Sequence, residues 1–415
     1  MPPSSNAPEA PNVPDTRDTP GGPDAPGARR GPLAGLRIVE VSAFVAAPLA
    51  SMTLAQLGAE VIRIDPVGGN IDHHRWPETD DGTSLYWASL NKGKRSVTLP
   101  LDTPEGQRAA ADIICADGPG AGILITNLPG RGWLDHARLS ARRPDLIMMR
   151  LLGDHDGSPA VDYSVNCASG FPHATGEGPA PVNHVLPAWD VAAGLYLTVG
   201  LLAAERRRQA TGEGQEVSLA LSDVMLATVG NLGYLADVQI NGVSREPIGN
   251  SLYGGFGRDF GTADGRRVMV VALTTRQFRS LGRATGLTEK LEMTGPLLDV
   301  DVTTEGGRYA ARHAIAAVLE PWFAARTLAE VRAVLQGSGA LWGPYQTFRQ
   351  LYEEDPRCSA ENPLFSWIEQ PGIGKLLAPG SPLMFSGDPA PAAAPAPRLG
   401  ADTGAVHSRG EAGRG

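Results

Sequence analysis

The stretch LRIVEVSAFVAAPLASMTLAQLGAEVIRID, Leu36 to Asp65, decides the fold. A short apolar run, Leu36–Val41, leads through a helix-compatible segment to a second apolar run, Val61–Asp65, which ends in an acid. This βαβ rhythm puts a carboxylate where nucleotide-binding folds often hold a ribose hydroxyl. The glycine finger of such folds is missing. Between the first strand and the helix stand Ser42, Ala43, Phe44, Val45, Ala46, Ala47 and Pro48, all with a Cβ that hinders close approach of a pyrophosphate to the backbone.

Outward from this unit the alternation continues. RSVTL (Arg95–Leu99) precedes a helix-like Thr103–Ala116, then come GILIT (Gly122–Thr126) and DLIMMRL (Asp145–Leu151). Strands that alternate with helices predict a doubly wound α/β domain with a parallel sheet. In PAWDVAAGLYLTVGLLAAERRRQATGEGQEVSLAL, an apolar helix starts near Asp190, gathers charge at Glu205–Arg208 and stops at Gly212 before a strand at Gln215–Leu221. From about Asn250 the texture changes to strand, Asp264-Gly265 turn and strand, followed by helices at Thr275–Ala284 and Arg308–Ala325, which reads as a smaller α+β module. The expected organisation is a tail over 1–32, a large domain over 33–225, a linker over 226–249, a small domain over 250–338, a return to the large domain over 339–400 and a second tail over 401–415.

Composition bounds the function. The chain has 415 residues, 42% of them hydrophobic, enough for a large core, and a formal charge of −9 with no basic stripe, which argues against a nucleic-acid partner. Cys115, Cys167 and Cys358 are widely spaced, which supports neither a disulfide framework nor a zinc site and suits a cytoplasmic protein. The histidines lack ligand spacing, so no metal is expected. No run of about 18 uninterrupted apolar residues predicts a membrane span. The Pro-, Ala- and Gly-rich N-terminus lacks the apolar core of a signal peptide and reads as disordered.

Asp190 has two readings. It is either the cap of its helix or a nucleophile that the helix dipole keeps ionised, with Ala192, Ala193 and Gly194 leaving room for a bulky substrate. Asp162, in AVDYSVNCASG, reads by itself as a loop residue accepting a backbone amide. Gly254, Gly255 and Gly257 read as a hairpin entry, and Lys92, Lys94 and Arg95 as either a solvated face or a phosphate contact.

Together PLAGLRIVEVSAFVAAP, LAQLGAEVIRID, LNKGKRSVTLPL, ILITNLPGRGWL, VDYSVNCASGF, PAWDVAAGLYLTVGLLAAERRRQATGEGQEV and GGFGRDF, in this order, resemble the family III CoA-transferases from about Leu33 to Arg398. SAFVAAP, NKGKRS, GRDF, NHVLPAWD and IEQPGIGKLLAPGSP are most similar to the subgroup that moves CoA between the two carboxyl ends of one substrate, 2-methylfumaryl-CoA. The resemblance implies an acyl-CoA substrate, no separate cofactor and an interlocked homodimer of two-domain subunits. It implies an aspartyl nucleophile at Asp190 and a CoA site that includes Val45, Asn127 and Asp162. Gly254, Gly255 and Gly257 would close over the site, although Phe256 interrupts them. Basic family positions are Pro66, Ala160 and Asp135 here, so the phosphates would fall to Lys94, Arg95 or Arg131, with Arg63 as a further candidate. Oxyanions would be stabilised by N–H groups of the Asp190 helix and of the glycine loop. Racemases of the family carry a His before the position of Asp162. Val161 stands there, which favours CoA transfer over proton exchange. An intermolecular transferase and a non-catalytic CoA-binding protein are the alternatives.

Overall fold

The computed structural model describes residues 31–387 and 392–406; of the tails expected over 1–32 and 401–415, residues 1–30 and 407–415 lie outside the described residues. The chain opens with β1 (Arg37–Val41), α1 (Ala46–Gln56), β2 (Glu60–Pro66), α2 (Leu85–Leu90), β3 (Arg95–Leu99), α3 (Pro104–Ile114), β4 (Ile123–Thr126), α4 (His136–Arg142) and β5 (Ile147–Leu152). Next come α5 (Asp162–Ala168), α6 (Phe171–Ala174), α7 (Ala188–Thr211), β6 (Gln215–Ala220), α8 (Leu221–Asn231) and α9 (Tyr234–Asn241). The six strands form one parallel sheet in the order β3-β2-β1-β4-β5-β6. This is the doubly wound order, whose ligand crevice lies beyond the strand ends where the winding reverses, between β1 and β4.

Strand alternation sorts the apolar residues into two layers. Ile38, Val61, Ile123 and Ile147 face one side and pack with Leu54 of α1 and with Ala193, Leu197 and Leu201 of α7. Val39, Ile62, Leu124 and Met148 face the other and meet Ile114 of α3 and Leu139 of α4. Each fully buried Ile or Leu contributes about 1.5–3 kcal/mol. Helix α7 is long and apolar enough to match a membrane span, yet it packs on α1 and β5 as a core helix. That packing accounts for Gly194: a Cβ there would lie 2.8 Å from the Ala46 carbonyl oxygen. The small residues after Asp190 therefore admit α1 to α7, where the sequence had suggested room for substrate.

The second body is a three-stranded antiparallel sheet of β7 (Phe256–Gly261), β8 (Arg267–Ala272) and β9 (Leu341–Pro344), with α10 (Thr275–Thr285), α11 (Thr288–Leu298), α12 (Glu305–Ala310), α13 (Arg312–Ala324) and α14 (Leu328–Leu335). Its core gathers Phe256, Phe260, Val268, Phe278, Ile315 and Phe323. Helix α15 (Phe348–Glu354) and the hairpin β10 (Phe365–Gln370) and β11 (Gly374–Pro379) follow. The Gln370 side chain pairs with both backbone groups of Ala396, which packs on Trp87 of the large domain.

Three expectations need correction. Residues 226–249 are no simple linker, because the end of α8 and all of α9 lie there. Pro344 still belongs to the small sheet, paired with Val268. Residues 401–406 are ordered: the Asp402 carboxylate accepts the Ser96 N–H at 3.0 Å, Thr403 Oγ1 accepts that of Thr98, and Val406 is buried. The cause is that β3 is an edge strand whose free N–H groups need acceptors, which the tail supplies.

Candidate active site

Two loops meet at the β1/β4 reversal. Asn127, just past β4, accepts the Ala43 N–H at 3.1 Å and donates to the Ala43 carbonyl at 2.8 Å, so both ends of its amide clamp the loop after β1. The next residue, Phe44, is held at φ 70°, a left-handed conformation rare for a side chain that size and costing on the order of 1 kcal/mol or more. Phe44 thus makes the turn that a glycine makes in dinucleotide-binding folds. Asn127 shapes this crevice by bonding to protein. Val45 precedes α1, whose N-terminus has no side-chain cap.

Asp190 sits in the first turn of α7, but it does not cap the helix. Asp162, the first residue of α5, does so: its Oδ2 accepts the N–H of Trp189 at 2.8 Å and of Asp190 at 3.1 Å. The expectation that Asp162 accepts backbone amides holds, and the Asp190 carboxylate, spared the capping role, has no hydrogen bond among the described residues. Burial, with the Asp162 charge adding to it and Arg75 opposing, pushes Asp190 up to about 6. The dipole therefore does not hold it at an ordinary carboxylate value; at neutral pH it is still mostly ionised. The expected oxyanion donors on this helix are taken: Ala188 N–H bonds to Leu186 and Val191 N–H to Pro187, besides the two amides on Asp162.

Two further side chains lie within electrostatic reach of this carboxylate. Tyr86 of α2 has a buried hydroxyl without a partner among the described residues, and burial pushes it up to about 12 against the pull of Arg75, so it stays protonated. The Arg75 guanidinium lies 5.7 Å from the Phe44 ring centroid and 5.2 Å from that of Tyr86. Sequence reasoning missed Phe44, Arg75 and Tyr86, for which local spacing carries no signal.

The basic candidates divide sharply. Lys94 Nζ is fully buried and donates to Glu40 at 2.7 Å, Asn91 at 2.8 Å and the Pro48 carbonyl at 2.9 Å. Burial pulls Lys94 down to about 8 despite Glu40, while Lys94 and Arg63 overcome the burial of Glu40 and hold it at about 2. Arg63, equally buried, pairs with Glu40, Asp65 and Asp72. Arg95 bridges Glu60 and Asp402 at the start of β3. None of the three is available to a phosphate, which corrects that expectation. Arg131, exposed in the loop after β4, has no ion pair among the described residues.

The glycine loop stands apart from Asp190 in hydrogen bonding. Gly254 has φ 80° in the turn before β7, and a Cβ on Gly257 would lie 2.8 Å from that of Leu252. A chain of rings connects the two regions. Trp189 stacks on Phe171, Phe171 meets Tyr234 edge-on, and Arg245 is sandwiched between Tyr234 at 4.2 Å and Tyr253 at 4.0 Å. Tyr253 directly precedes Gly254. Among the described residues no cluster of metal-binding side chains occurs.

Known proteins resemble this chain in sequence and in fold. A 2-methylfumaryl-CoA isomerase of Chloroflexus aurantiacus is 55% identical over 377 residues, covering 90% of this chain and 92% of its own length. A succinyl-CoA:mesaconate CoA-transferase of Haloarcula marismortui is 27% identical over 86% of this chain and 90% of its own. Among solved structures, a CAIB/BAIF family protein from Brucella suis superposes with a TM-score of 0.76 at 24% identity, covering 92% of this chain and 100% of that one, a likeness of fold. The model of CoA-transferase family III matches residues 33–403, and the chain belongs to that family.

Proposed function

We propose that this protein isomerises 2-methylfumaryl-CoA by moving CoA from the C1 to the C4 carboxyl of the same acid. The observation that carries the reading is a half-buried carboxylate, Asp190, relieved of capping by Asp162, in a chain 55% identical to the Chloroflexus isomerase. CoA enters as part of the substrate, so the reading calls for no separate cofactor, and a cytoplasmic site of action suits it. Arg131 and the free first turn of α1 beside Val45 would meet the CoA phosphates.

A carboxylate oxygen of Asp190 attacks the C1 carbonyl, the C–S bond breaks and CoA leaves as thiolate. The thiolate then attacks the aspartyl carbonyl of the mixed anhydride, giving an aspartyl–CoA thioester and releasing 2-methylfumarate. The freed acid returns its C4 carboxylate to that thioester, again forming an anhydride and thiolate. Thiolate attack at the C4 acyl carbonyl yields the product and restores Asp190. The two carboxyls are trans across a double bond and cannot close a ring with each other, which makes the enzyme relay necessary. Gly254, Gly255 and Gly257 would shield the thioester from water.

A homodimer completes the reading. No residue of α9 is buried, and Leu235, Val238 and Ile240 on it, with Leu195, Tyr196 and Val199 on α7, expose apolar surface that a second copy would cover. Sedimentation should give the mass of a dimer.

The deciding experiment supplies 2-methylfumaryl-CoA alone, then with excess isotopically labelled 2-methylfumarate. A retained acid has an effective concentration that reaches on the order of 10⁵ M in well-oriented cases. The positional isomer should form at full rate with almost no label. Extensive label, or a requirement for added acid, would identify an intermolecular transferase.

A further inference from the structure

The described arginines with buried side chains are tied down: Arg63 by three carboxylates, Arg208 by Glu205 and the Ala121 carbonyl, Arg308 by the carbonyls of Ala272, Leu273 and Val302. Arg75 differs. Its backbone is pinned, since its N–H donates to Asp72 O and its carbonyl accepts the Ser84 hydroxyl, while its guanidinium has neither hydrogen bond nor ion pair among the described residues. The group is not loose, because it lies against the rings of Phe44 and Tyr86. Stacking fixes the plane of a guanidinium and leaves its N–H edge open for a planar acceptor.

What it faces narrows the acceptor. It stacks on Phe44, two residues before Ala46, whose carbonyl packs against Gly194 one turn after Asp190; its charge acts on Asp190, yet among the described residues the two form no ion pair, so the nucleophile remains free. The unpartnered Tyr86 hydroxyl lies in the same field. An exposed planar cation with no protein partner among the described residues and a buried, unpartnered phenolic donor, both within electrostatic reach of a nucleophilic carboxylate, make a receptor for a second carboxylate.

We infer that Arg75 is a specificity-determining residue that holds the non-reacting carboxylate of a dicarboxylate thioester while the other end reacts at Asp190. This rests on the reading of Asp190 as the CoA-accepting nucleophile. One cation serves both halves of the transfer. In the first half Arg75 holds C4 while C1 reacts; after the freed dianion turns, it holds C1 while C4 attacks the thioester. An acyl-CoA without a distal carboxylate leaves the guanidinium unpaired and loses this anchor.

The test follows formation of the CoA adduct on Asp190 by intact-protein mass in single turnovers at pH 8, where Asp190 is ionised. The substrates are 2-methylfumaryl-CoA and its C4 methyl ester, with wild type, Arg75→Gln and Arg75→Lys. Wild type should favour the acid over the ester by about 10²-fold, the scale of a charge-assisted bidentate contact. Arg75→Gln should slow the acid about 10²-fold and the ester less than about threefold, and Arg75→Lys should keep part of the preference. Equal losses on both substrates, or an undiminished preference in Arg75→Gln, would overturn the assignment. Adduct formation with this pattern but isomerisation only on addition of free acid would refute the isomerase reading and leave the role of Arg75 standing.

Discussion

Asp162 Oδ2 accepts the backbone N–H of Asp190 at 3.1 Å, so one carboxylate caps the helix on which the other stands free. The pairing has two consequences, one geometric and one electrostatic: the cap positions Asp190, and the cap's charge raises its pKa. Asp162→Asn separates them. An amide oxygen still accepts both N–H groups, but the charge is gone. The acidic limb of kcat/KM, expected near pH 6 in wild type, should move to lower pH in Asp162→Asn while activity at pH 8 stays within a few fold. Asp162→Ala should lose the cap as well and destabilise the fold by about 1–2 kcal/mol in urea titrations. An unmoved limb in Asp162→Asn would disprove the electrostatic half of the argument.

Asp190 itself carries a stability cost. Its value of about 6 in the folded chain exceeds the ordinary 3.8, so the folded state binds more protons than the unfolded one between those values. Stability contributed by this group is therefore present at low pH and lost as pH rises through about 6, a loss of at most roughly 3 kcal/mol. Asp190→Asn should abolish turnover and raise Tm at pH 7.5, with the gain disappearing near pH 4. A variant less stable than wild type at neutral pH would contradict this.

Lys94 and Arg131 should fail in different ways. Lys94→Met leaves Glu40 with one cation fewer in a site without solvent, and unfolding should come about 3 kcal/mol sooner. Arg131→Ala should leave stability unchanged and raise KM several-fold at constant kcat, the signature of lost uniform binding. A KM effect from Lys94→Met in a fully folded protein would reinstate Lys94 as a phosphate ligand.

The Arg245 sandwich links the Asp190 helix to the glycine loop through aromatic rings. Arg245→Ala should loosen the loop and raise hydrolysis to free acid relative to isomerisation, as should Gly255→Val, whose added Cβ would lie 3.1 Å from Glu305. Product analysis measures the ratio directly. An unchanged ratio in both variants would leave these residues a purely structural part.

The sequence by itself determined the sheet and marked a candidate nucleophile. Short, nearly continuous apolar runs place β1 to β6 within a residue or two, because burial on both faces of a parallel sheet demands those residues locally. Asp190 stands out for a different reason, as a carboxylate at a helix start. The roles of the polar side chains were decided by tertiary structure. Lys94 and Arg95 look like phosphate ligands until Glu40 and Asp402, 54 and 307 residues away, are seen to claim them. Arg75 and Tyr86 have no motif, and Phe44, though part of SAFVAAP, gains its role only when the fold brings the loop after β1, Arg75 and α2 together. Apolar burial is read from local periodicity, whereas a charge is defined by its partner, and partners distant in sequence meet only when the chain is folded.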